Sequence, residues 1–116
     1  MKKVLVVDDN VEILNIITII LDMEGYEVIS ADNGHQISET ILTSAPDLIL
    51  LDIMLGDLDG RELCRTLKID PQTKHIPVIM ISASHILGCD DCSAEDFLAK
   101  PFNIEDLVEK VAQYVN

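Results

Sequence analysis

Short apolar runs alternate with segments of helical periodicity along the whole chain. The apolar runs predict strands at residues 3–7, 27–31, 48–51, 77–81 and 97–99, and the periodic segments predict helices at residues 11–24, 34–44, 60–69 and 104–114. The third run is continuously aliphatic, which is typical of a strand that is buried on both faces. Asp9 or Asn10 can cap the first helix, and Gly25 can end it.

This alternation predicts an α/β fold in which helices cover both faces of a parallel sheet. Five strand–helix units fit a flavodoxin-like, doubly wound (βα)5 sheet with strand order 2-1-3-4-5. The 116 residues suffice for one domain and are too few for two, so we expect a single domain over residues 1–116. In such sheets the ligand site lies beyond the carboxyl ends of the strands, next to the central strands one and three.

The acidic composition narrows the possible partners. The formal net charge of −13 argues against direct binding of nucleic acid or of an anionic membrane, because both require a positive protein surface. No stretch approaches the ~20 apolar residues of a membrane span, and the first apolar run is too short for a signal peptide, so we expect a cytoplasmic protein. Cys64, Cys89 and Cys92 are odd in number and do not suggest a disulfide framework.

Acidic residues follow two strands that the predicted order makes neighbours. Asp8 and Asp9 follow strand one, and Asp52 follows strand three. Two such charges 4 Å apart repel each other by about 4 kcal/mol at an effective dielectric of ~20. A fold can keep such a cluster if a positive group binds to it or if one carboxyl stays protonated. Mg²⁺ is a suitable positive group, because it binds oxygen ligands. Ser82 and Lys100 follow the remaining two strands and add a hydroxyl and an ammonium, which can bind phosphoryl oxygens.

Four stretches give the chain a specific family resemblance. They are VLVVDDN at 4–10, DLILLDIMLGDLDG at 47–60, PVIMISA at 77–83 and DFLAKPF at 96–102. Together they resemble the receiver domains of two-component response regulators, and the resemblance covers nearly the whole chain. It implies a phosphoacceptor switch that takes a phosphoryl group from a histidine kinase or a histidine phosphotransfer protein. Such a domain is not an enzyme in the usual sense, since it catalyses only its own phosphoryl transfer and dephosphorylation.

The resemblance also assigns roles to individual residues. Asp52 is the expected phosphoacceptor, and Lys100 is expected to pair with it before transfer and with the phosphoryl group afterwards. Mg²⁺ or Mn²⁺ is the expected cofactor; its ligands are expected to be Asp9, Asp52, the main-chain carbonyl of Met54 and, through a water, Asp8. Ser82 and Phe97 are expected to form the switch, and Lys100-Pro101 is expected to be a cis peptide.

The segment between Ser82 and Lys100 departs from the family pattern. It is shorter than usual by roughly one helical turn of ~3.6 residues, and residues 84–93 are poor in helix formers and contain Gly88. We therefore predict that the fourth helix of the receiver fold is truncated or absent, which affects the surface through which typical receivers signal. Cys89 and Cys92 lie in this segment and are interpreted as reduced thiols, with a disulfide as the alternative.

The sequence also suggests a docking surface on the first helix. Ile16, Ile19 and Met23 lie beside its polar stripe. In the resembled family the kinase docks on this helix, so we hypothesise that these residues contact the kinase. The output partner or fused effector domain is not indicated by the sequence.

Three other classes of protein share some features of this sequence. A haloacid-dehalogenase-type phosphatase requires a second Asp two residues after the nucleophile, where this chain has Met54. A flavodoxin-like FMN carrier requires a phosphate-binding loop after strand one, where Asp8 and Asp9 repel phosphate. A receiver-like scaffold that works without phosphorylation stays as the alternative function.

Overall fold

The computed structural model describes residues 1–35, 37–83 and 93–115. Its strands are β1 (Lys3–Val7), β2 (Glu27–Ala31), β3 (Leu48–Asp52), β4 (Met54–Leu55), β5 (Leu58–Asp59), β6 (Val78–Ala83) and β7 (Asp96–Lys100). Its helices are α1 (Val11–Met23), α2 (Ile37–Ser44), α3 (Gly60–Ile69) and α4 (Ile104–Val115). Within this described part, no helix is long and apolar enough to span a bilayer.

Five strands form one parallel sheet in the order β2-β1-β3-β6-β7. Numbered along the chain without the short hairpin β4–β5, this is the predicted order 2-1-3-4-5. β3 lies between β1 and β6, and its five residues are all buried. The prediction of a doubly wound α/β sheet is therefore confirmed.

The sheet separates two hydrophobic cores, as its alternating side chains require. Leu5 and Leu51 belong to the core covered by α2 and α3, whereas Val6 and Leu50 belong to the core covered by α1 and α4. Successive strand residues point to opposite faces of the sheet, and helices cover both faces, so all four of these side chains are buried. The apolar runs of the sequence thus supply both cores at once.

The boundaries of the elements follow local hydrogen bonds. Asn10 caps α1, and its side-chain oxygen accepts the backbone N–H groups of Glu12 and Ile13 at 3.0 and 3.2 Å. α2 begins at Ile37, later than the predicted residue 34, because the side chain of Asn33 accepts the backbone N–H of His35 and forms a turn first. The predicted truncation of the fourth helix of the family, and Cys89 and Cys92, lie outside the described residues.

Candidate functional site

The acidic cluster is assembled by neighbouring strand ends. Val7 pairs with Leu51 in the register of β1 and β3, so Asp8 and Asp52 leave the sheet side by side. One oxygen from each of Asp8, Asp9 and Asp52 lies within 4.8 Å of the other two. Asp8 and Asp52 are buried, whereas Asp9 is exposed.

Lys100 reaches this cluster from the end of β7. Its Nζ donates to Oδ2 of Asp8 at 3.0 Å and to Oδ2 of Asp52 at 3.2 Å. The other oxygen of Asp8 accepts the backbone N–H of Asn10 at 2.9 Å. The peptide bond from Lys100 to Pro101 is cis, as expected from the family resemblance. The Lys100 ammonium therefore contacts two of the three carboxylates.

The environment of the cluster raises the pKa of both Asp52 and Lys100. Burial and the neighbouring charge of Asp8 raise the pKa of Asp52 from 3.8 to about 6, although Lys100 counteracts them in part. Burial alone would lower the pKa of Lys100, but the hydrogen bond to Asp8 and the charges of Asp52 and Asp8 outweigh it, so that pKa is raised. The site holds more negative charge than Lys100 neutralises.

The donor set of the site fits a hard divalent cation. Carboxylate oxygens are the ligands that Mg²⁺ prefers, and Mg²⁺ keeps several waters when few carboxylates bind it. Exposed Asp9 lies on the solvent side of the cluster, and the pKa of Asp52 is raised first by burial and then by the neighbouring charge of Asp8. The three carboxylates can therefore hold a divalent cation in addition to the ammonium of Lys100.

The remaining predicted site residues lie around the cluster. Ser82 is buried in β6, directly after Ile81, the residue that pairs with Asp52. The backbone N–H of Met54 donates to Oδ1 of Asp52 at 3.3 Å, while the Met54 side chain is exposed. Phe97, in β7, is partly buried and packs against the core on the α2 and α3 side.

A match to a known protein family assigns the chain to that family. The model of the response regulator receiver domain matches residues 4–112. The chain belongs to the response regulator receiver family. This confirms the family resemblance that the four sequence stretches indicated.

Individual relatives of this receiver are found among transcriptional regulators. It is 41% identical over 115 residues to the phosphate regulon transcriptional regulatory protein PhoB of Pseudomonas aeruginosa, an alignment that covers 95% of this chain and 50% of the relative. It is 36% identical over 115 residues to the alkaline phosphatase synthesis transcriptional regulatory protein PhoP of Bacillus subtilis, which covers 95% and 47%, respectively. The receiver thus spans about half the length of these two curated relatives.

Solved structures show the same architecture. The receiver domain of NtrX from Brucella abortus superposes with a TM-score of 0.88 at 33% identity, covering 97% of both chains. A CheY-like response regulator receiver domain protein from Methanospirillum hungatei gives a TM-score of 0.90 at 30% identity, covering 99% of this chain and 94% of the other.

The hypothetical docking residues of the receiver are exposed on α1. Ile16, Ile19 and Met23 are 53%, 59% and 79% exposed. Ile16 also lines an apolar cleft of about 400 Å³ between α1 and the segment after β7, together with Phe102 and Ile104. It was not predicted from the sequence that Phe102 and Ile104 form the second wall of this cleft, opposite α1. The apolar residue Ile104 at the start of a helix was a signal for it.

The contact between α3 and the end of β3 was not predicted from the sequence. The hairpin β4–β5 folds the chain back, so that the backbone N–H of Gly60 donates to the carbonyl of Ile53 at 2.6 Å. Asp59 caps α3 by accepting the backbone N–H of Arg61 at 2.9 Å, and the Arg61 side chain also donates to Asp59. The residue pair DG at 59–60 was the available signal for this contact.

Proposed function

We propose that this receiver accepts a phosphoryl group on Asp52, in a reaction that depends on Mg²⁺ or Mn²⁺. The donor is the phosphohistidine of a histidine kinase or of a histidine phosphotransfer protein. The observation that carries the proposal is the meeting of Asp8, Asp9 and Asp52 within 4.8 Å, with the ammonium of Lys100 on two of them. The receiver catalyses only its own phosphorylation and dephosphorylation.

The residues of the site have separate tasks in this reaction. A carboxylate oxygen of Asp52 forms the new bond to phosphorus while the bond from phosphorus to the histidine nitrogen breaks, and its electron pair stays on that nitrogen. Lys100 is within hydrogen-bonding distance of Asp52 and can follow the charge onto the phosphoryl oxygens. The transition state is loose, so positioning and charge neutralisation are the main contributions of the protein.

The cation would be held by residues from two strand ends. Asp9, Asp52 and the main-chain carbonyl of Met54 would be direct ligands, and Asp8 would contribute through a water. When bound, the cation neutralises the carboxylates and the phosphoryl oxygens. Ser82 would then hydrogen-bond a phosphoryl oxygen, and Phe97 would change its packing in response, which alters the surface offered to the output partner.

The phosphorylation proposal is tested with a small-molecule donor. Acetyl phosphate and Mg²⁺ should add the mass of one phosphoryl group to the wild-type chain, and EDTA should prevent it. Asp52→Asn should abolish the addition, whereas Asp57→Asn should keep it, because Asp57 is an exposed acid that pairs with His35 outside the cluster. A wild-type chain that gains no phosphoryl group from acetyl phosphate would favour the phosphorylation-independent scaffold.

The donor protein is proposed to dock on the exposed apolar surface of α1. Ile16→Asp and Ile19→Asp should slow transfer from a phosphorylated histidine kinase that serves the wild-type chain, while phosphorylation by acetyl phosphate stays unchanged. Leu42→Asp is the matched control, since Leu42 is similarly exposed but lies on α2. Equal slowing by the control, or no slowing by either α1 variant, would contradict this docking surface.

A further inference from the structure

Gly60 lies against the backbone of the phosphoacceptor strand more closely than any side chain permits. A Cβ atom at Gly60 would overlap the carbonyl oxygen of Asp52, and it would lie 2.9 Å from the carbonyl carbon of Asp52 and 3.0 Å from the Cα of Ile53. Real Cβ atoms essentially never come within 3.0 Å of such atoms. The neighbours are backbone atoms, which cannot rotate away as the end of a side chain can.

The backbone on both sides of Ile53 is held by hydrogen bonds, one in each of the two peptides that Ile53 joins. The backbone N–H of Ile53 donates to the carbonyl of Ile81 in β6 at 3.0 Å, and the carbonyl of Ile53 accepts the N–H of Gly60 at 2.6 Å. A group that pushed the Asp52–Ile53 peptide away from α3 would therefore strain or break these two neighbouring hydrogen bonds. The Asp52 carboxylate, which also accepts the backbone N–H of Met54, would be displaced with it.

We propose that Gly60 is a positioning residue of the phosphoacceptor site: its missing side chain lets the first turn of α3 pack directly on the Asp52–Ile53 peptide. This contact fixes the Asp52 carboxylate relative to Asp8 and Asp9. The inference rests on the proposed function of Asp52, and it adds a residue that never touches the phosphoryl group or the cation. Its role is comparable to that of outer-sphere groups that orient metal ligands.

The direct test is Gly60→Ala, with Mg²⁺ alone as the first probe. Calorimetric titration should show a 10–100-fold weaker affinity for Mg²⁺, the loss expected when groups that orient metal ligands are disturbed. The backbone amide signals of residues 52–54 should also shift in the metal-free protein. At saturating Mg²⁺, phosphorylation by acetyl phosphate should remain slower than in the wild type, which a loss of metal affinity alone would not cause.

Gly25→Ala is the control for lost stability. Gly25 has a φ of +92° and open space around it, and it lies before β2, at the opposite edge of the sheet. Alanine there is destabilising because of the backbone conformation, not because of a clash with the site. Its affinity for Mg²⁺ and its phosphorylation should match those of the wild type.

A second pair of variants keeps the inference testable if Gly60→Ala does not fold. Asp59→Ala removes the side-chain cap that fixes the first turn of α3, whereas Asp59→Asn retains a capping oxygen. The alanine variant should weaken Mg²⁺ binding, and the asparagine variant should restore it.

The two possible failures are distinguishable. If the folded Gly60→Ala variant, or Asp59→Ala in its place, binds Mg²⁺ like the wild type, the positioning role is wrong. If the wild type binds Mg²⁺ but takes no phosphoryl group from acetyl phosphate, the proposed function fails instead. In that case the Mg²⁺ titrations still decide the role of Gly60.

Discussion

Asp52 places a negative charge in a buried site, and this should destabilise the metal-free protein. Its pKa is about 6 in the folded chain against an ordinary value of 3.8. Each unit of difference corresponds to about 1.4 kcal/mol, so the ionised side chain should cost about 3 kcal/mol of folding stability at pH 7.5. Asp52→Asn keeps the size of the side chain and removes the charge. The variant should therefore be more stable than the wild type, by up to about 3 kcal/mol.

The sign of the pH dependence follows from the raised pKa. Protonated Asp52 carries no buried charge, so it does not destabilise the folded protein. This contribution to the free energy of unfolding is fully present below pH 3.8 and is lost as the pH rises through about 6. The advantage of Asp52→Asn should therefore be about half as large at pH 5 as at pH 7.5. Added Mg²⁺ should narrow the gap at pH 7.5, because it binds the folded wild type and loses a ligand in the variant.

Urea unfolding followed by circular dichroism measures this difference. The wild type and Asp52→Asn are compared in EDTA at both pH values, and again with Mg²⁺ at pH 7.5. Asp57→Asn serves as the control, because Asp57 is exposed and its replacement should change stability by less than about 0.5 kcal/mol. A variant that is no more stable than the wild type in EDTA at pH 7.5 would refute the reasoning.

Three further predictions test other parts of the molecule. Lys100→Met should slow phosphorylation by acetyl phosphate by about 10²–10³-fold, because a positioned charge is lost from the transition state; an unchanged rate, measured by intact mass, would contradict its role. Ser82→Ala should keep phosphorylation but abolish the accompanying change in the aromatic NMR signals of Phe97, and a persisting change would exclude Ser82 from the switch. Ile17→Ala should cost about 2–5 kcal/mol of unfolding free energy, because Ile17 is fully buried, whereas exposed Ile19→Ala should cost less than about 0.5 kcal/mol. Equal costs in urea titrations would contradict the assigned packing.

The architecture was predictable because it depends on patterns that persist over whole elements. The aliphatic residues of β3 are buried on both faces, as their continuous run predicted. The hairpin β4–β5 was missed because each of its strands has two residues, too few to show any periodicity. The start of α2 was placed early because the turn at Asn33 depends on one side-chain hydrogen bond.

The sequence predicted those residues of the candidate site whose positions are determined by the ends of the strands. Asp8, Asp9 and Asp52 meet because parallel strands bring their carboxyl ends to one edge of the sheet. The contact of Gly60 with Asp52 depends on the path of the short loop between them; the residue pair Asp59-Gly60 indicates a turn but not what that turn packs against. In the same way Ile104 indicates an apolar residue at the start of a helix, but not that it lines the cleft beside α1.

The ion pair between Lys100 and Asp8 joins residues that are 92 positions apart in the chain. The carboxylate cluster therefore gains its ammonium only after the residues between these two positions, including β7 itself, have been synthesised. A chain shortened before β7 would keep Asp8 and Asp52 but would lack the ammonium that pairs with both. The ion pair can therefore form only in copies in which both β1 and β7 have joined the sheet.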